Sequence, residues 1–415
     1  MDDVTIDAAD IPGPRNPNGL TATTISSSQI DLVYDDNANM DDIVIVANLE
    51  YRNITNTYTR FNEWTDGTSV GARVPDNVII ENTTLDLTNG SQSTIEDFTV
   101  GTNITLQSNG NLTVDANETL SISNNLLITN NGSLDLNSNS TTYSSLLVEG
   151  SSVGDVIYRR HINTFSNSGS TTGQNDLISA PVTNANQTFE SFSTANPNIP
   201  SGLISGVPSF LFGPFNNDTN LYTNFNSSDF GTVLTPGVGY RSASTDTSTF
   251  NFVGDVQTST VSVAINIGTG SIWNLVGNPY TTYINSGVFL TANAAVLDEN
   301  AVGIYGYDGS AQDGWDIINF NNMNEAENIT PGQGFLLAAE GTSLVEFTST
   351  MRRISGGDDF ISGRSSDTNS YLSLKLENTN SNYHTDFYFN DNSTRMLDPG
   401  YDTALFNGYI PDFHM

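Results

Sequence analysis

The stretch NITLQSNGNLTVDANETLSISNNLLITNNGSLDLNS, Asn103 to Ser138, decides the fold class. Its apolar residues alternate with Thr, Ser and Asp over runs of only four or five positions, and Asn, Ser and Gly clusters close each run. Alternation with a period of two is the mark of a half-buried strand, and turn signals this frequent leave no room for helices. Within it, NGNLTV and NGSLDL repeat one another, with Leu112 and Leu134 standing 22 residues apart. That step is close to one coil of a parallel β-solenoid, in which stacked coils bury an apolar row that no single coil could bury alone. A meander of antiparallel hairpins closed by Asn-Gly turns is the other arrangement that fits the same residues.

Working outward, Trp64 to Gly150 keeps this pattern, beginning with NVIIENTTLDLTNG, so residues 63–150 are expected to form a short β-solenoid. Upstream, LTATTISSSQIDLVY alternates Leu20, Ala22, Ile30, Leu32 and Tyr34 before an Asp/Asn-rich turn and the strand DIVIVANL. Residues 1–62 resemble the first strands of a fibronectin type III domain, whole or partial, with Tyr34 where that family usually carries Trp.

Downstream, three landmarks occur twice and in the same order. GDVIYRRHIN at Gly154 matches GDVQTSTVSV at Gly254. Leu177-Ile178-Ser179-Ala180-Pro181 matches Leu275-Val276-Gly277-Asn278-Pro279, and TPGVGYRSAS at Thr235 matches TPGQGFLLAA at Thr330. Offsets of 100, 98 and 95 residues make coincidence improbable, so two tandem β-units are expected at 151–253 and 254–355, each the size of a small sandwich. In both, Pro-Gly predicts a type II turn, and the next Gly predicts close backbone approach before Tyr240 or Phe335. SGVFLTANAAVLDEN, Ser286 to Asn300, is the one segment whose Ala content suits a turn or two of helix. Residues 356–415 read as the start of a further β-sandwich that is cut short. The expectation is therefore an all-β, multi-domain chain.

Composition narrows function by exclusion. With 12 Lys+Arg against 46 Asp+Glu the net charge is −34, which repels a nucleic-acid backbone, so no DNA or RNA partner is expected. An acidic surface of this kind tolerates a cation-rich exterior. The chain has no Cys, which removes thiolate metal sites and disulfides. No run of about 18 apolar residues occurs, so no membrane-spanning helix is expected. The opening MDDVTIDAADIPGP lacks the basic and apolar regions of a signal peptide.

Taken together, PDNVIIENTTLDL, the NGSL coils, GDVIYRR, LISAP, WNLVGNP, PGQGF and LDPGYDTALFNG resemble the cell-surface and secreted proteins exported by the type IX secretion system of Bacteroidota-type bacteria. The resemblance covers roughly residues 60 to 415 and implies an extracellular location. It does not name an activity, and the sorting β-domain usual at the C-terminus of that kind of protein is absent. Asp402-Thr403-Ala404 matches the acidic-Ser/Thr-apolar pattern that such proteins O-glycosylate. Asn-x-Ser/Thr sequons number roughly a dozen, as chance supplies in a chain so rich in these residues.

Candidate chemistry is sparse. His161, His384 and His414 are the three histidines, and with no Gly-x-Ser-x-Gly elbow, Cys nucleophile or His-Glu-x-x-His pattern the chain is not expected to be an enzyme. His161 stands in YRRHIN, an Arg-Arg-His run that reads as a solvated face or as a partner for local carboxylates. A glycosidase would need two carboxylates at a set separation. Asp313 and Asp316 around Trp315 are the first pair to inspect, and with Trp273 they form the candidate sugar-binding set, because aromatic platforms beside carboxylates suit sugar rings. For calcium, Asp35, Asn37, Asn39 and Asp41 alternate like the start of an EF-hand loop, yet Met40 replaces the tight-turn Gly and Val46 the bidentate Glu. A looser β-turn Ca2+ site remains, and Asp358 with Asp359 makes a similar weaker claim. No other cofactor is expected. These features point to an extracellular structural or adhesive protein whose partner is a surface glycan or a protein, the alternative being a carbohydrate-binding accessory module.

Overall fold

In the computed structural model the brief alternating runs are strands, and the protein is all-β with two short α-helices among the described residues, Phe189–Ala195 and Ser286–Asn293. The structure describes residues 21–26, 29–33, 42–46, 77–81, 84–87, 97–164, 175–307, 315–323, 328–359, 370–377, 382–389, 394 and 398–401. The chain divides into two compact units, Met1–Asp135 with Val148–Gly154, and Leu136–Leu147 with Asp155–Met415.

In the first unit the pairing that follows the initial hairpin (Thr21–Ser26 with Gln29–Val33) is parallel. Asn77–Glu81 pairs with Asn103–Gln107, which pairs with Leu126–Ile128; Thr84–Leu87 pairs with Asn111–Val114, and Asp97–Val100 with Thr119–Ile122. The antiparallel meander is thereby ruled out for these strands. Asp42–Val46, which the sequence groups with the fibronectin-like segment, also pairs in parallel, with Asn77–Glu81. Register places like on like: Val78, Ile104 and Leu126 are partners in turn, as are Ile80, Leu106 and Ile128, and all six are buried.

Polar residues stack the same way. The Asn125 amide donates to Asn103 Oδ1 (3.2 Å), and the Ser151 amide donates to Asn125 Oδ1 (2.9 Å). Ser133 Oγ donates to Asn111 Oδ1 at 2.8 Å across a step of 22 residues. The Asn-Gly signals divide their labour: Ser108 and Asn109, then Asn130 and Asn131, take the left-handed backbone (φ 51°, 63°, 48° and 64°). Each following glycine closes the turn and lets a neighbouring strand approach, since a Cβ on Gly110 would lie 1.9 Å from the Ile80 carbonyl oxygen.

From Asp155 onward the segments that carry the repeated landmarks lie in the second unit, and the two sets use the same register. Ile178 pairs with Tyr240 and Ser179 with Gly239; correspondingly, Val276 pairs with Phe335 and Gly277 with Gly334. Each copy adds a second antiparallel pair, Val156–Arg160 with Phe250–Gly254 and Val261–Ile265 with Ser343–Phe347. Each also has one helix ended by an asparagine clamp. Asn196 Nδ2 donates to the carbonyls of Phe192 and Asn251 while its Oδ1 accepts from the Asn251 amide; Asn293 does the same with Phe289 and Glu346. Phe192 sits 4.8 Å from Phe252 at 33°, and Phe289 sits 4.9 Å from Phe347 at 34°.

The copies interlock. The Ser179 amide of the first donates to the Gly332 carbonyl of the second (2.7 Å), and the Gly277 amide of the second donates to the Gly237 carbonyl of the first (2.9 Å). Gly237 and Gly332 occupy the third position of the Thr-Pro-Gly turns with φ of 77° and 66°, as a type II turn demands. Gly239 and Gly334 provide the close approach read from sequence, for a Cβ on Gly334 would lie 2.7 Å from the Ile178 amide nitrogen and one on Gly239 would lie 2.5 Å from Leu275 Cγ. The sheet of the second copy, ordered Trp273–Gly277, Gly334–Ala338, Ile304–Tyr307, Trp315–Ile318, is covered on both faces. Phe335 and Leu337 join one apolar core while Leu336 and Ala338 join another.

Candidate functional site

Among the described residues of the second unit, a close set of charged and polar side chains is built around Arg160. Alternation along Val156–Arg160 buries Val156, Tyr158 and Arg160 on one side, so the sequence pattern itself drives a guanidinium into the interior. A buried cation needs both charge and hydrogen-bond partners. Arg160 Nη2 meets both carboxylate oxygens of Asp359 at 2.8 Å, Nε donates to the Pro331 carbonyl at 3.1 Å, and Nη1 donates to the His161 carbonyl at 2.6 Å. The Tyr143 ring lies under the guanidinium, 5.1 Å from its centroid, and its hydroxyl donates to Asp359 Oδ2 at 2.7 Å; Thr330 Oγ1 donates to Oδ1.

Electrostatically the cluster is closed. Burial is the largest influence on Arg160 and opposes its charge, but Asp359 together with Tyr143 and Asp176 outweighs it and holds the guanidinium firmly protonated. Burial, followed by the Asp359 charge, pushes the Tyr143 phenol well above its ordinary range. Burial and then Arg160 lower the His161 imidazole, so it is neutral near pH 7, and its backbone amide is held by Ser138 Oγ. Through these bonds the arrangement clamps four segments, at Tyr143, Arg160, Thr330–Pro331 and Asp359. Asp359 is thus a partner of Arg160, which corrects its calcium assignment: both of its oxygens are already engaged. Asp359→Ala strands a fully buried cation and is expected to cost about 3–5 kcal/mol, a fall in Tm on the order of 6–20 °C by calorimetry.

Trp273 corrects a second expectation. It is only 8% exposed, packed edge-on against Tyr305 with ring centroids 4.5 Å apart, and it belongs to the core with Leu177, Leu275 and Leu336. It cannot serve as a sugar platform. Half-buried Phe215 and Tyr222 pack on the same core, 5.3 Å apart, and Arg241 stacks on the Tyr222 ring at 4.8 Å while donating to Asn224 Oδ1. This aromatic face was not singled out from sequence, because neither ring is flanked by the carboxylates used as the signal. Trp315–Ile318 is an outer strand that sets Trp315 opposite Tyr307 and Asp316 opposite Gly306. The side chains of Trp315 and Asp316, and all of Asp313, lie outside the described residues, as do Asp35, Asn37, Asn39 and Asp41.

The two Gly-Asp landmarks converge. Asn184 Nδ2 donates to Asp155 Oδ1 at 2.7 Å, and the Asp255 carboxyl is raised by burial and by the Asp155 charge. Among the described residues no group of three or more His, Cys, Asp or Glu is placed to hold a metal ion, and no helix is long and apolar enough to cross a membrane. No curated protein and no solved structure matches the chain. A family model does, that of a domain of unknown function, DUF8693, and because the match runs over residues 53–413 the chain belongs to this family.

Proposed function

We propose that the protein is a non-catalytic structural and adhesive component of the cell exterior, a short parallel β-solenoid followed by an interlocked pair of sandwich-like units. The observation that carries this reading is the use made of the Arg160 cluster: Arg160, Asp359, Tyr143 and Thr330 are committed to one another. Side chains that could act on a substrate instead tie strands together. Stacked parallel strands with polar ladders supply stiffness, and the net charge of −34 keeps such a β-rich surface soluble in a salty exterior. Export by a type IX route, suggested by the resemblance of residues 60 to 415, belongs to the same proposal.

The test is location joined to loss of function. Antibody to the chain is expected to label intact source cells, and deletion of the gene is expected to weaken attachment to a surface or to neighbouring cells. Recovery of the protein only from the cytoplasmic fraction would sink the proposal. A carbohydrate-binding role is favoured by one observation, the Phe215–Tyr222 face under Arg241. Glycan-array binding in calcium buffer, lost in Tyr222→Ala, would support it, and an EDTA wash would report any Ca2+ requirement.

A further inference from the structure

Along the strand Gly239–Ser242 the side chains alternate. Tyr240 turns into the aromatic core, stacked on Phe212 at 4.9 Å, and Arg241, paired with Leu177 on one side and Gly213 on the other, turns to the opposite face. There it lies half-buried over the Tyr222 ring and makes a single hydrogen bond among the described residues, from Nη2 to Asn224 Oδ1 at 2.6 Å. Its other donors go unmatched. Nε is buried without an acceptor, and Nη1 has none either but is not enclosed. Burial lowers the pKa of Arg241, Tyr222 opposes that, and no carboxylate of the described residues helps to hold the charge.

Arg160, in the same unit, shows what a buried guanidinium needs for the fold alone: a carboxylate on two donors and carbonyls on the rest. Arg241 has no such partner in a chain with 46 Asp+Glu. A Gln or Met would cover the Tyr222 ring without withdrawing a charge from water, so packing does not account for an arginine here. What the arrangement presents outward is a set of donors. Asn224 spends its Oδ1 on Arg241, and its Nδ2, with no acceptor among the described residues, is held beside the guanidinium by that same bond. The surrounding segment FNNDTNLYTNFN, residues 215–226, is uncharged except for Asp218, whose carboxylate accepts from the Thr269 amide at 2.9 Å.

We propose that Arg241 and Asn224 bind the carboxylate of an acidic sugar, a uronic acid, while the Phe215–Tyr222 pair supplies apolar contact to the ring. This rests on the carbohydrate-binding reading of that face and names its ligand class. A guanidinium edge beside an amide N–H₂ matches the two coplanar oxygens of a carboxylate. The net charge of −34 opposes anions at long range, but at physiological ionic strength a charge is felt over only about 8 Å, so the unmatched cation decides at this spot. The same field selects among acidic glycans. One cation suits a neutral chain bearing an isolated uronic acid, whereas each further carboxylate of a polyanion would meet the acidic chain unpaired.

Isothermal titration of the full chain tests this with three probes: a xylo-oligosaccharide bearing one glucuronic acid, the same oligosaccharide with its carboxyl reduced to the alcohol, and the capped peptide Gly-Glu-Gly. The acidic oligosaccharide is expected to bind, and its reduced form to bind about 10–100-fold more weakly, the worth of a hydrogen-bonded charge. In Arg241→Gln the two oligosaccharides should bind alike, at the weaker level. Equal binding of both by the wild-type chain would overturn the carboxylate assignment and leave the carbohydrate reading standing, a comparison that needs no variant. A peptide bound as tightly as the acidic sugar would overturn the sugar assignment, and no binding of any probe would overturn both. Undiminished preference for the acid in Arg241→Gln would overturn the role given to Arg241.

Discussion

Residues 155–254 expressed alone are expected to show no cooperative melting transition and no near-ultraviolet circular dichroism, and residues 255–415 alone are expected to behave the same way. Each copy lacks a donor or an acceptor that the other supplies. Without the second copy the Ser179 amide loses the Gly332 carbonyl, and Arg160 loses Pro331, Thr330's neighbour in the clamp, together with Asp359. Without the first, the Gly277 amide loses the Gly237 carbonyl and the Trp273 core loses Leu177. An uncompensated buried guanidinium costs several kcal/mol by itself, a large share of the roughly 5–15 kcal/mol that holds a domain together. Mixing the two pieces should restore the transition. A sigmoid melt from either piece alone would show that the copies are independent modules.

Raising the pH should unfold the second unit in one steep step. Burial raises the phenols of Tyr143, Tyr158, Tyr283 and Tyr305 well above their usual range, and raises those of Tyr240 and Tyr280 to about 12. A phenol whose folded pKa exceeds its unfolded value of about 10 favours the folded state fully below pH 10. That advantage is lost as pH rises through the folded pKa, because the unfolded chain ionises first. For Tyr240 alone the loss amounts to about 2–3 kcal/mol. Tyrosinate absorbance from these six should therefore appear together with the loss of far-ultraviolet ellipticity. Gradual ionisation near pH 10, with the ellipticity intact, would show that the rings are open to water.

The all-β class was legible because it rests on local signals. Alternation and Asn-Gly turns lie within a few residues, and the 22-residue step from Leu112 to Leu134 reappears as parallel register. Of the tandem reading, what the structure shows is a shared register at matching landmarks, Ile178 on Tyr240 and Val276 on Phe335; a further matching pair, FSTAN at Phe192 and FLTAN at Phe289, is not among the landmarks read from sequence. Trp273 misled because alternation assumes one wet face, whereas its sheet is buried on both sides and both sets of residues face apolar cores. The partner of Arg160 could not be found from sequence at all. Forty-six acidic residues were eligible, and only the folded path of the chain selects Asp359.

That pairing also sets a timetable for synthesis. Arg160 and Asp359 are separated by 199 residues, so the cation is made long before its anion. At roughly 5–20 residues per second, a chain leaving a ribosome carries Arg160 without its counter-ion for about 10–40 s. During that interval the parallel stack of the first unit, whose strands pair with near neighbours in the chain, has everything it needs to close. The second unit has to wait for its own far end before Arg160 finds its counter-ion.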